Sequence, residues 1–398
     1  MKIVGIVAEY NPFHKGHAYQ LQKVREIYGK DTAIVCVMSG DFVQRGEPAV
    51  FSKFARAEAA VRCGADLVIE LPLNYSVASA ERFADGAVSV LGRLGVVEHL
   101  VFGSEIEDCI LLEHTADVLS SSVFHEKVKD FLETGCSYPS ARSMALRELM
   151  DGVDVTTTPN NNLGVEYIRA IRRHGFSMTP HPILRMGAMH DADYDGEMKS
   201  GSQLRRLLKE NENIAPFVPQ EAYDIYAREM RQGNGPVYLE KLESAMLSRL
   251  RMLPFDVYAR LPDAAEGLEH RLYKACRTEA SLDKIYDTVK SKRYTHARIR
   301  RMVMCAGLGI TASDFEGANI YARVLALNER GGRVLKLSEK HRTLDVISKP
   351  SVARAMSDAQ LGMFCKSADA HDLYVLAYAD ATQRKGEADW TTSPVFIR

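Results

Sequence analysis

Apolar residues along the first 185 positions follow two alternating periods. Residues 3–7 (Ile-Val-Gly-Ile-Val) are a short, mostly β-branched apolar run, as in a strand buried on both faces. Over residues 18–28, Leu21, Val24 and Tyr28 recur at helical spacing and predict an amphipathic helix. The pair of signals then repeats. A strand is expected over 32–38, a helix capped by Ser52 and ending near Gly64, a strand over 67–72 stopped by Pro72, a helix over 76–94 and a strand over 99–102. Residues 107–150 read as helices broken near Gly135 and Pro139, another helix opens after Thr158 and runs to about Arg173, and 176–184 reads as a strand. Strands alternating with helices predict an α/β, Rossmann-like domain with a doubly wound parallel sheet and right-handed crossovers. From Leu207 the alternation stops, and helical patterns rich in Leu, Met, Tyr and paired charges continue to about residue 380. Within them, 320–327 is a short strand or helix. The join near 211–219, with Asn213, Pro216 and Pro219, divides an expected domain 1–210 from a mainly α-helical domain 211–398.

Composition narrows the class. A chain of 398 residues can bury two cores, and a formal net charge of −1 means that nucleic-acid binding must come from a local patch. Seven cysteines without a Cys-x-x-Cys spacing argue against a disulfide scaffold or structural zinc and fit a reducing compartment. No leader pattern and no run of membrane-spanning length occurs, so the expectation is a soluble, cytoplasmic protein.

Candidate chemistry concentrates between the elements. The loop joining the first strand and helix contains His14-Lys15-Gly16-His17. A helix N-terminus presents free N–H groups and a positive dipole end to phosphate, two imidazoles can add donors, and Gly16 admits a nucleotide close to the backbone. A metal pair or simply a polar helix start remain alternatives for the motif alone. Its place after a first buried strand, where an open parallel sheet has its ligand crevice, favours the nucleotide. No Gly-x-Gly-x-x-Gly follows that strand and no Gly-Lys-Ser/Thr occurs, which disfavours a dinucleotide fold and a P-loop. After the second strand, Asp41, Lys53 and Arg56 can handle carboxylate, magnesium or triphosphate charge. Alternatively Asp41 fixes a turn and the two cations sit on a solvated face. Gly103 ends a strand where adenine or ribose can approach, Asn160 and Asn161 open a helix, Arg185 ends a strand as a permanent phosphate donor, and Ser202 lies in a turn suited to phosphate. Seven of the twelve residues 290–301 are basic or histidine. Lys292, Arg293, Arg298 and Arg301 can neutralise RNA phosphates and Tyr294 can stack on a base, or the run is a solvated helix face.

The His-x-Gly-His loop in this setting resembles the nucleotidyltransferase superfamily. The longer string Ala8-Glu9-Tyr10-Asn11-Pro12-Phe13-His14-x-Gly16-His17 resembles the bacterial tRNA(Met) cytidine acetate ligase family. Four further stretches agree with that family: Ser39-Gly40-x-Phe42-x-Gln44-Arg45-Gly46-Glu47-Pro48, Pro159-Asn160-Asn161-x-Leu163-Gly164-x-Glu166-Tyr167, Arg293-Tyr294-Thr295-x-x-Arg298-Ile299, and Tyr321-x-Arg323-Val324-Leu325. The resemblance implies an ATP-dependent ligase. Acetate and ATP would form acetyl-adenylate and pyrophosphate, and the wobble cytidine of elongator tRNA(Met) would then take the acetyl group on N4. It further implies ATP binding by Val7, Ala8, Glu9, Tyr10, Asn11, Pro12, Phe13, His14, Lys15, Gly16, His17, Ala18, Tyr19 and Gln20, with Gly103, Asn161, Asn160, Arg185 and Ser202 around them. Asn161 is preferred over Asn160 as the nucleoside contact. His14, His17, Asp41 and Lys53 would be the catalytic set, magnesium would come with the triphosphate, and no protein metal ligand is assigned. The partners expected are tRNA, ATP and acetate, with no membrane and no obligate protein partner. The chain departs from the superfamily at Ser200-Gly201-Ser202-Gln203-Leu204-Arg205, where glycine replaces a larger small residue and leucine replaces isoleucine. Two other readings are a nucleotidyltransferase acting on a phosphorylated small molecule, and a non-catalytic nucleotide-sensing RNA-binding protein.

Overall fold

The computed structural model describes residues 1–185, 198–265, 267–291, 293–317 and 320–398. Ten strands are assigned among them: β1 Ile3–Ala8, β2 Ala33–Ser39, β3 Phe42–Val43, β4 Glu47–Pro48, β5 Leu67–Leu71, β6 His99–Ser104, β7 Thr179–Leu184, β8 Tyr321–Asn328, β9 Asp345–Ile347 and β10 Val395–Ile397. The main sheet runs β10-β8-β5-β2-β1-β6-β7, with β9 also paired to β8, while β3 and β4 form a separate hairpin. Pairings among β5, β2, β1, β6 and β7 are all parallel. Strand order therefore reverses at β1, and the C-terminal ends of β1 and β6 flank the topological switch point where such sheets bind ligands.

Burial on both faces explains the uniform apolar runs. In β2, Ala33, Val35 and Val37 point to one core, and Ile34, Cys36 and Met38 to the other. The first core is closed by Phe83, Val88 and Leu91 of helix Ala80–Arg93 and by Val165 and Ile168 of helix Pro159–His174. The second is closed by Leu21 and Val24 of helix Lys15–Tyr28 and by Ala57 and Ala60 of helix Lys53–Arg62. Gly164 lets helix Pro159–His174 lie directly on β6, since a Cβ there would sit 2.4 Å from the Phe102 ring.

The second half is mainly helical and has its own core, from Leu242 through Met302 to Tyr374. It does not stop at the expected border, however. Residues 321–328, readable as strand or helix, are a strand that pairs antiparallel with β5 from Leu67↔Leu327 to Glu70↔Arg323. Along its other edge β10 and β9 pair parallel to it. The sheet is thus completed by residues beyond 320, and a cut at 210 would remove three of its strands.

A buried ion cluster joins the halves. Lys53 Nζ lies 2.8 Å from Glu70 Oε1 on β5 and 2.6 Å from Asp389 Oδ2 near the C-terminus. Arg323 on β8 reaches Asp389 Oδ2 at 2.8 Å and Glu70 Oε2 at 3.4 Å. Asp41 stands 3.8 Å from Lys53 Nζ and accepts from His371 Nδ1 at 2.8 Å. Lys53 is fully buried, so its substitution by methionine leaves Glu70 and Asp389 short of a cation. Lys53→Met should destabilise the protein by about 3–5 kcal/mol, measured as a lower urea midpoint; an unchanged midpoint would show that the cluster is not structural.

Candidate active site

The loop after β1 is held from below. Tyr10 takes a left-handed φ of 48°, unusual for a non-glycine, and its hydroxyl meets Cys36 Sγ at 3.3 Å. Asn11 Oδ1 accepts from Val50 N at 2.8 Å, and Phe13 N donates to the Tyr226 hydroxyl at 2.9 Å. Arg56, fully buried, donates to the carbonyls of Glu9 at 2.6 Å, Phe51 at 2.8 Å, Ser39 at 3.1 Å and Gly40. It stitches the ends of β1 and β2 together and is not on a solvated face. Tyr10, Asn11, Pro12 and Phe13 are themselves buried. Their side chains are the foundation of the loop, so any contact they make with ATP would come from the backbone. Val7, Ala8, Glu9, Lys15, Gly16, His17, Ala18, Tyr19 and Gln20 are half-buried.

The two histidines form one unit at the start of helix Lys15–Tyr28. His14 is its N-cap, and its Nδ1 accepts from Gly16 N at 3.1 Å. The His14 backbone N–H in turn donates to His17 Nδ1 at 3.2 Å. Both Nδ1 atoms are acceptors, so in each neutral ring the hydrogen is on Nε2, which remains a donor for a ligand. The rings stack with centroids 3.7 Å apart, and Tyr10 packs edge-on against His17 at 4.8 Å. A Cβ at position 16 would lie 2.9 Å from His14 Cε1, so only glycine leaves that ring its place. Burial, with Arg185 nearby, pushes His14 down to about 3, and burial with His14 and Arg185 lowers His17. Both rings are therefore neutral, each with an Nε2–H donor.

Arg185 is the cation across the switch point. It follows β7, its N–H continues the ladder to the Ser104 carbonyl at 2.9 Å, and its side chain is exposed, with Nη1 donating to Asn160 Oδ1 at 3.1 Å. Gly103 keeps this strand end open, because a Cβ there would meet Arg185 Cγ at 3.1 Å. The two asparagines differ in their surroundings. Asn161 is buried, and its Oδ1 accepts from Ser104 Oγ at 2.6 Å and Glu105 N at 2.8 Å. Asn160 is the one beside Arg185 at the surface. Glu105, which sequence reasoning passed over, organises both: it accepts from Thr158 Oγ1 at 2.9 Å, Asn160 Nδ2 at 2.5 Å and Asn161 N at 2.8 Å. These bonds hold its carboxyl below the usual range despite burial, at a helix N-terminus that favours an anion.

On the other flank, Ser200 caps helix Gly201–Lys209, and Arg205 from that helix donates to the Asn11 carbonyl at 2.9 Å and to Ser202 Oγ at 3.1 Å. Ser202 is exposed. The glycine at 201 has a reason, since a Cβ there would stand 3.2 Å from the Asn11 carbonyl oxygen. Arg205 was missed as a site residue although it closes the recognisable Ser-Gly-Ser-Gln-Leu-Arg turn.

Asp41 and Lys53 are not on the surface of this crevice. Asp41 Oδ1 accepts from Lys53 N at 2.7 Å and Oδ2 from His371, and the His371 and Lys53 charges hold its carboxyl well below the usual range against the opposing effect of burial. Both belong to the buried ion cluster, so their placement does not match the expectation that they touch substrate. The basic run is corrected in part too. Tyr294 is buried in the helical core, where it cannot stack on a base as it stands. Arg298 donates to the Asp263 carbonyl at 2.6 Å, and burial lowers Arg301. Arg293 is exposed, while Lys292 lies outside the described residues. Helix His296–Leu308, which carries this run, packs on the β3–β4 hairpin: Arg300 pairs with Glu47 at 3.1 Å, and a Cβ at Gly46 would be 3.0 Å from the Arg300 carbonyl.

A doubly wound sheet with a donor-bearing helix start at its switch point and an arginine across from it defines a nucleotidyltransferase site for a nucleoside triphosphate. The comparisons agree. The chain belongs to the HIGH Nucleotidyl Transferase family, whose sequence model matches residues 1–389, and within it to the tRNA(Met) cytidine acetate ligases. It is 35% identical to the tRNA(Met) cytidine acetate ligase of Fervidobacterium nodosum over 98% of both chains, and 33% identical to that of Acetivibrio thermocellus over 100% of both. Its structure is similar to that of Thermotoga maritima TmcAL bound with alpha-thio ATP, with a TM-score of 0.91 and 34% identity over 100% of both chains.

Nuclear magnetic resonance of 15N-labelled histidine should show both His14 and His17 as Nε2–H tautomers, unchanged from pH 8 to 5. Depressed folded values mean that any stability the pair contributes is present above the unfolded value of about 6.5 and lost as pH falls toward His14's lower value. A shift near pH 6.5 in either ring would contradict the neutral-donor assignment.

Proposed function

We propose that this chain is an ATP-dependent acetate ligase that makes N4-acetylcytidine at the wobble position of elongator tRNA(Met). The observation that carries the reading is the His14–His17 unit, two neutral Nε2–H donors fixed by backbone N–H groups and faced by Arg185. Family membership supplies the identity of the acid and of the tRNA.

In the first step an acetate oxygen attacks the α-phosphorus of ATP, an O–P bond forms and the bond to pyrophosphate breaks. Little covalent work falls to the protein, so placement and fixed dipoles carry most of the catalysis. His14 and His17 donate to phosphate oxygens as charge moves onto them, Arg185 takes phosphate charge, and Asn160 stands beside it at the nucleoside side. Gly16 lets the nucleotide approach the backbone. Magnesium would travel with the triphosphate. Among the described residues no three His, Cys, Asp or Glu side chains converge as a metal site, so phosphate oxygens and water suit it as ligands. In the second step the anticodon brings cytidine N4 to the acetyl carbonyl. Exposed Lys290 and Arg293, and the helix seated on the hairpin next to the crevice, are the surface we assign to the tRNA backbone. No helix of the described residues is long and apolar enough to cross a membrane.

Purified protein should exchange labelled pyrophosphate into ATP only when acetate is present, and should add one acetyl group to tRNA(Met) by mass. His14→Ala and His17→Ala should each slow the exchange on the order of 10²–10³-fold; exchange independent of acetate points instead to another acceptor, and full activity in both variants to a non-catalytic nucleotide site. The double variant Lys290→Glu, Arg293→Glu should weaken tRNA binding at least about tenfold, lower the log–log salt slope by roughly 2 and leave ATP affinity unchanged. Unaltered tRNA affinity would remove this surface from the interface.

A further inference from the structure

Three carboxylates follow directly on strands at the crevice edge of the sheet. Glu105 comes after β6 and Asp41 two residues after β2, and in both of them each oxygen is engaged within the protein. Glu9 comes after β1 and differs. Its Oε1 accepts from Gln44 N of the hairpin at 2.9 Å, while Oε2 has no hydrogen bond among the described residues, and its side chain is half-buried rather than enclosed. Among those residues it also makes no ion pair.

The position of Glu9 is as telling as its bonding. One side of it continues into the loop that carries His14 and His17. The other is tied through Gln44 to the β3–β4 hairpin, and that hairpin supports the basic helix through Glu47 and Gly46. Glu9 is therefore linked by the chain to the loop proposed to hold the α-phosphate, and by one hydrogen bond to the hairpin under the helix assigned to RNA. On the ligase reading, cytidine N4 coming from that surface to an adenylate at the histidines would pass this junction. Its lone pair is delocalised into the ring, and the nitrogen becomes acidic only as it bonds to carbon, so a nearby base is needed at that moment.

We propose that Glu9 is the general base of acetyl transfer, accepting on Oε2 the proton that cytidine N4 loses; this rests on the ligase reading above. The step balances. The N4 lone pair attacks the acetyl carbonyl carbon, a C–N bond forms, and the carbon–oxygen bond to the phosphate breaks. AMP leaves with that electron pair, and the N4 proton passes to the carboxylate and then to solvent. The charged and titratable groups facing Glu9 are Arg205 from helix Gly201–Lys209, Arg45 from the hairpin, Arg56 from helix Lys53–Arg62 and Tyr167 from helix Pro159–His174. Burial raises the carboxyl above the ordinary glutamate value, and the Gln44 N–H and the three arginines oppose it.

The test separates the two half-reactions in the full-length protein. Acetate-dependent pyrophosphate exchange reports adenylation, and single-turnover transfer of labelled acetate to tRNA(Met), followed against pH, reports the second step. Glu9→Gln should slow transfer on the order of 10²–10³-fold more than it slows exchange, and abolish the rise of the transfer rate with pH on the acid side. Glu9→Asp, which keeps a base of shorter reach, should transfer slowly but retain that acid limb. Transfer by Glu9→Gln within a few-fold of wild type overturns the proposal, as does exchange falling as far as transfer, which would make Glu9 part of adenylation. Loss of the acid limb in Glu9→Asp overturns it even where Glu9→Gln fails to fold. Wild-type protein without acetate-dependent exchange overturns the ligase reading and this proposal with it, whereas normal exchange with a fully active Glu9→Gln removes this proposal alone.

Discussion

Lys53 sits where the two halves of the chain meet, and its charge can be buried there only because both halves bring carboxylates to it. Glu70 comes from the sheet, Asp389 from the C-terminal segment and Asp41 from the loop after β2. Arg323 and His371 balance the set, giving three cations or potential cations to three carboxylates. A buried cluster of this kind is a weak source of net stability, because desolvation offsets attraction. It is strongly selective for arrangement, however, since any misplacement leaves a bare charge. The same loop that Asp41 anchors also supplies the carbonyls of Ser39 and Gly40 to Arg56, which in turn grips the Glu9 carbonyl. Order at the ion cluster is thereby transmitted to the strand end that carries the catalytic loop.

The site itself is built on an economy of charge. Its two histidines are held neutral by burial and aimed by backbone N–H groups, and under the proposed function they contribute direction and leave attraction to Arg185. Neutral donors of fixed orientation are suited to charge that develops during reaction, because they need not reorganise when it appears. The flanking groups repeat the pattern one layer out: Glu105 orients Asn160 and Asn161, and Arg205 orients Asn11 and Ser202.

What could be read from the chain beforehand was what is written locally. The β1 run, the helix start at His14-Lys15-Gly16-His17 and the main-sheet strands of the first half all depend on residues within about ten positions of one another, and periodicity or a motif records them. The partners of Asp41 and Lys53 are 330 and 336 residues away in His371 and Asp389, and no spacing announces such a pair. A lysine at a helix start also looks the same in sequence whether solvent or three carboxylates surround it, which is why Lys53 was read as a site residue. Tyr294 failed for a related reason: an aromatic among basic residues is equally a stacking platform or the point where a helix meets its core. β10 has only three residues after a proline, too few for a periodic signal, and β8 carried one that fitted two elements equally.

The late arrival of β8 has a consequence for how the protein is made. Strand β5 ends at Leu71, and the strand that covers its outer edge begins at Tyr321, about 250 residues later. At ribosomal rates of roughly 5–20 residues per second, that edge stays uncovered for on the order of 10–50 seconds in each nascent chain. For that interval a nascent sheet offers Leu67–Leu71, an apolar row of unpaired N–H and C=O groups, to any neighbouring strand. Glu70 in its middle, without its lysine neighbour's other partners yet in place, acts as the charged gatekeeper of that exposed edge before it becomes the buried partner of the finished fold.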